Sequence, residues 1–112
     1  MGDGHHVWAA AEWVMIIRNC FLREEEDELI LCAGIPNRWL EQEQPVRFGP
    51  APTAFGTISI EVVPLDEKVR IDWKADWRGR EPAIEIRLPS HTHVRVKPGA
   101  DSATLPREES VA

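Results

Sequence analysis

From Thr57 to Lys97 the chain keeps a two-residue rhythm. Ile58, Ile60 and Val62 alternate with Thr57, Ser59 and Glu61, and Val69, Ile71, Trp73 and Ala75 alternate with Arg70, Asp72 and Lys74. The rhythm returns as Ile84, Ile86 and Leu88 against Glu85 and Arg87, then as Val94 and Val96 against His93, Arg95 and Lys97. Successive side chains of an extended chain point to opposite faces, so each segment predicts a strand with one buried and one wet face. The separators Pro64-Leu65-Asp66-Glu67, Arg78-Gly79-Arg80-Glu81-Pro82 and Pro89-Ser90-His91-Thr92 are too short for crossover helices. They suit hairpins and corners, and therefore antiparallel sheets. One-sided strands must bury their apolar faces against another layer, which predicts an antiparallel β-sandwich over residues 28–97.

The chain has 112 residues, 43% of them hydrophobic. That supports one core and one domain, residues 1–99, followed by a flexible C-terminal tail, residues 100–112, where the patterning stops. Before the alternating region, Leu29-Ile30-Leu31-Cys32-Ala33 predicts a further strand, preceded by a solvated turn in the acidic run Arg23–Glu28. Gly34 to Leu40 predicts a turn with a short helical segment opened by Pro36. Gly49-Pro50-Ala51-Pro52-Thr53 predicts a loop, because proline cannot donate to a sheet ladder.

The N-terminal segment has a different period. Asp3 and Gly4 can open a helix over residues 5–22, in which Trp8-Ala9-Ala10-Ala11-Glu12-Trp13 is rich in helix formers and free of proline and glycine. At about 100° per residue, His5, Glu12, Asn19 and Arg23 share one narrow stripe, and apolar side chains take most of the remaining circumference. A single sheet covers only one face of a helix. Trp13, Ile16, Ile17 and Cys20 are therefore interface candidates, for a second copy of the chain or a companion domain. The apolar stretch Val7–Ile17 is broken by Glu12 and falls well short of the roughly 20 residues that span a bilayer, so no membrane association is expected.

Composition excludes several functions. The formal charge is −6, from 13 Lys+Arg and 19 Asp+Glu, which is the wrong sign for gripping phosphates and predicts no nucleic-acid partner. The two cysteines, Cys20 and Cys32, sit in apolar runs outside any metal-ligand or disulfide spacing and read as buried thiols. The N-terminus lacks the basic start and cleavage site of a secretory signal, which points to a cytoplasmic location. No nucleophile elbow, phosphate-binding loop or dinucleotide fingerprint is present, and no cofactor is implied. His91 and His93 have a spacing that a metal can use, yet no third and fourth ligands are evident, so they read as surface histidines and no metal site is assigned. Of the five tryptophans, Trp73 and Trp77 share the inward parity of Val69 and Ile71, Trp8 and Trp13 belong to the apolar helix, and Trp39 is the freest.

Three phrases, Asp3-Gly4-His5-His6-Val7-Trp8-Ala9-Ala10-Ala11-Glu12-Trp13, Gly34-Ile35-Pro36 through Trp39-Leu40, and Pro52-Thr53-Ala54-Phe55-Gly56, give a resemblance over residues 3–89. They resemble the C-terminal region of six-hairpin, (α/α)6-barrel glycosidase-like proteins. The resemblance implies that residues 5–22 correspond to the last barrel helix and the β-rich remainder to an accessory domain, with carbohydrate-active enzymes as relatives. It places His5, His6 and Trp8 near a sugar site in a full-length relative. The catalytic barrel lies outside these residues, so no catalytic residue carries over and the chain is not expected to be an enzyme.

Two functions follow as expectations. The first is a noncatalytic accessory domain that packs through its apolar helix on a second copy or on a glycosidase-like catalytic partner. The alternative is a carbohydrate-binding module using exposed tryptophan, with His5, His6, Trp8 and Trp39 as its residues.

Overall fold

The computed structural model describes residues 17–41, 44–89 and 91–106. It is mainly β, a short helical stretch at the start of the described chain followed by two four-stranded sheets. Residues 17–21 are helical (α1). They lead into β1 (Leu22–Glu24), β2 (Glu28–Leu31), the short helix α2 (Asn37–Glu41), β3 (Val46–Thr53), β4 (Gly56–Pro64) and β5 (Lys68–Trp77). The described residues finish with β6 (Ala83–Ile86), β7 (Val94–Arg95) and β8 (Ser102–Pro106). Residues 5–16 of the expected N-terminal helix, with His5, His6, Trp8, Trp13 and Ile16, lie outside the described residues.

One sheet has the order β1-β2-β6-β7 and the other β3-β4-β5-β8. The alternating segments form the frame, since β4 and β5 pair without a break from Gly56↔Trp77 to Pro64↔Val69. Their inward residues Ile58, Ile60, Val62, Val69, Ile71 and Trp73 meet Leu29, Leu31, Ile84 and Ile86 of the other sheet in one core. Period-2 patterning makes this unambiguous, because a one-residue slip would turn every apolar side chain outward.

Four details differ from the sequence reading. Residues 49–53, expected as a loop, belong to β3, with a cis Gly49–Pro50 bond and a bulge between Phe48 and Ala51. The prolines are tolerated because β3 is an edge strand whose outer side needs no donors. Residues 102–106, expected in a flexible tail, form β8 on the edge of β5, with Leu105 only 2% exposed. Leu22–Glu24, read as the helix end and a solvated turn, form β1, and the Glu25 N–H donates to the Glu28 carbonyl at 2.9 Å to close the hairpin.

The fourth difference is one of strand direction. β2 and β6 run parallel, whereas the other ladders are antiparallel. Short connections constrain only consecutive strands, and β2 and β6 are separated in sequence by the whole β3-β4-β5 meander.

Candidate functional site

The interface candidates that the structure describes lie where the N-terminal segment meets the sandwich. Ile17 and Cys20 are half-buried against the core, and Phe21 behind them is only 1% exposed. Two backbone hydrogen bonds fasten this root, Cys32 N–H to Phe21 O at 2.8 Å and Gly34 N–H to Cys20 O at 3.1 Å, and Ile35 N–H to Cys32 O at 3.3 Å closes the turn that carries them. Gly34 lies so close that a Cβ there would come within 2.9 Å of the Cys20 Cα. The turn after β2 is therefore moulded on the helix backbone, and a glycine is what lets it approach.

A polar clamp holds the same root from the side. Arg18 donates from Nη2 to the Pro52 carbonyl at 3.2 Å and lies 3.8 Å from Glu24, whose other oxygen accepts the Ala54 N–H at 2.6 Å. The β3–β4 turn is fixed in turn by Thr53, whose buried hydroxyl donates to Gly56 O at 2.7 Å and accepts the Phe55 N–H at 3.0 Å. The Pro52-Thr53-Ala54-Phe55-Gly56 phrase thus encodes a tight hairpin that also anchors the N-terminal segment.

Trp39, the free tryptophan of the sequence reading, is half-buried on α2 and packs against the core. Its ring centroid is 6.0 Å from that of Phe21 in a tilted contact, and Phe21 stacks on Phe48 at 5.1 Å. The structure brings Ile17, Cys20 and Trp39 to one hydrophobic cluster with Phe21 and Phe48. Sequence reasoning did not single out Phe21, Gly34 or Phe48 for this cluster; the Gly-Ile-Pro turn was the one signal of a close approach.

The outer sheet faces carry charges that pair with one another. On the β3-β4-β5 sheet, Arg47 pairs with Glu61 and Arg70 with Asp72 at 3.0 Å, around a shallow depression of about 300 Å3. On the other sheet, Arg87 reaches Glu85 at 2.9 Å and Arg95 reaches Glu28 at 3.4 Å. The Arg87 guanidinium, hydrogen-bonded to Glu85, holds that carboxyl below the usual carboxylate range. His93 is exposed, 4.0 Å from Glu85, and His91 sits in the turn after β6 with Nδ1 2.8 Å from the Pro89 carbonyl. Among the described residues no three His, Cys, Asp or Glu side chains converge as metal ligands. No helix of the described residues is long and apolar enough to cross a membrane.

Comparison of the chain with protein-family models, curated proteins and solved structures found no match.

Proposed function

We propose that the protein is a noncatalytic interaction domain that docks through its N-terminal segment, with Trp13, Ile16, Ile17 and Cys20 at the contact, on a second copy of itself or on a glycosidase-like catalytic partner. The observation that supports this reading is the way the segment is rooted. Its last turn is locked to the sandwich by backbone bonds and the Arg18–Glu24 clamp. The residues before it, Val7 to Ile17, remain apolar around nearly the whole helical circumference in the sequence. An apolar run that leads into a root fixed in this way gains by burial against a partner, at about 25 cal/mol per Å2 of apolar surface removed from water. Glu28, Glu61, Asp72 and Glu85 on the outer faces are each engaged by an arginine, which favours a structural role for these four over acid–base work.

Size-exclusion chromatography with light scattering tests the reading. The wild-type chain is expected to run as a defined dimer, and a Trp13→Glu, Ile16→Glu double variant as a folded monomer. A wild-type chain that is strictly monomeric at tens of micromolar (roughly the range where a standard interface is occupied), and that keeps its fold, would overturn the self-association form. The partner form would fall if the same chain failed to co-elute with a glycosidase-like barrel lacking its own C-terminal region.

A further inference from the structure

The two edges of the β3-β4-β5-β8 sheet are built differently. β3 carries Pro50 and Pro52 and a bulge, which interrupt its outer row of donors and blunt it as a template for another strand. β5 is covered by β8 only from Lys68↔Pro106 to Asp72↔Ser102. Beyond that point, among the described residues, no strand pairs with β5 on the side away from β4.

The direction of the backbone groups there follows from two hydrogen bonds. The Trp73 N–H donates to Asp101 O at 2.9 Å, on the β8 side, and the Arg78 N–H donates to Phe55 O at 3.0 Å, on the β4 side. Backbone groups alternate along a strand, and the β4–β5 register is unbroken through Trp77. The N–H and C=O groups of Ala75 and Trp77 therefore point out of the sheet edge. They face an open groove of about 360 Å3, lined by Trp73, Lys74, Ala75 and Trp77 of β5 and, opposite, by Glu81 and residues 99–101. No proline and no bulge interrupts residues 73–77.

We propose that the Ala75–Trp77 edge is a strand-addition site for an extended peptide segment of a partner protein. The peptide runs antiparallel to β5 in the lane that β8 vacates, with a basic residue across from Asp76. Directly opposed residues of an antiparallel pair lie on the same face. The residue across from exposed Asp76 thus meets a carboxylate, while those across from Ala75 and Trp77 lie on the face of the half-buried Trp77 indole and are apolar. Asp101, whose carbonyl accepts the Trp73 N–H, fills the place across from Trp73 and Ala100 follows it, so the added segment spans the three positions across from Ala75, Asp76 and Trp77. Main-chain bonds supply the affinity and the alternating side chains the specificity. The site uses none of the N-terminal interface residues, so it goes beyond the docking function proposed above and is tested separately from it.

The test uses amide hydrogen exchange by NMR on the full-length chain, with the capped peptide Val-Lys-Val as probe at millimolar concentration. In the free protein the Ala75 and Trp77 amides are expected to exchange rapidly, and the peptide to slow both by about tenfold or more. The same peptide N-methylated on both valines, which cannot donate to the edge, and the charge-reversed Val-Glu-Val are each expected to bind about tenfold more weakly. Ala75 and Trp77 amides already protected in the free chain would mean that another part of the protein occupies the edge, and would overturn the proposal. Unchanged exchange with the first peptide, or equal binding of the N-methylated one, would also overturn it.

Discussion

Cys32, the residue after β2, has φ 69°, in the left-handed region that residues other than glycine rarely adopt, and its side chain is fully buried. Burial pushes its thiol from the ordinary 9.0 to about 12. The thiol therefore stays protonated in the folded state while the unfolded chain ionises above pH 9.0. The stability tied to this difference is complete below the unfolded pKa and is lost as pH rises towards about 12. At about 1.4 kcal/mol per unit, that loss amounts to several kcal/mol. Iodoacetamide at pH 8 is expected to label half-buried Cys20 and to reach Cys32 only with denaturant, as mass spectrometry of the peptides would show; equal labelling in the native protein would contradict the burial argument. Gly56 has φ +135°, and a Cβ there would collide with the Asp76 carbonyl. Gly56→Ala is expected to destabilise by about 3 kcal/mol or more in urea unfolding. Gly34→Ala, which presses on the Cys20 backbone, is expected to lose about 1–3 kcal/mol.

At the scale of elements, two segments hold more of the fold than their composition indicates. Thr53 closes the β3–β4 hairpin with a buried hydroxyl, so Thr53→Val should cost about 1–2 kcal/mol while keeping the side-chain shape. Arg78, which donates to the Thr53 carbonyl at 3.2 Å, braces the same turn from the end of β5. β8 seals the first half of the β5 edge and places Leu105 in the core. Leu105→Ala is expected to lose about 2–4 kcal/mol, and a chain ending at residue 101 should lose cooperative unfolding, because Val69 and Ile71 would then lose their neighbour. Thermal denaturation followed by circular dichroism distinguishes this from a dispensable tail, whose removal would leave Tm unchanged.

For the whole molecule, the two sheets enclose a core that Phe21 of α1 and Leu40 of α2 complete, and the most apolar run of the sequence, Val7 to Ile17, leads into it. If that segment docks on a second copy, folding and association are linked, and Tm should rise with protein concentration. The Trp13→Glu, Ile16→Glu variant should abolish that dependence while retaining the β signal. A Tm independent of concentration over about two decades would argue against self-association, since mass action requires the shift.

The sequence by itself determined the strands with one wet face, from Ile58 through Leu88, because a period of two admits one assignment of inside and outside. It also determined the turn and short helix around Pro36–Leu40, where proline and an apolar anchor act locally. Only the tertiary structure decided what depends on neighbours distant in sequence. A proline-rich stretch can be a strand if it lies at an edge, so residues 49–53 became part of β3. An unpatterned stretch can be a strand if a partner offers a ladder, so residues 102–106 became β8. The parallel pairing of β2 with β6, the burial of Trp39 against Phe21 and, among the described residues, the lack of a strand beside β5 beyond Trp73 are likewise results of packing. Backbone hydrogen bonding carries no residue signature, and an edge is defined by what stands beside it rather than by the residues that form it.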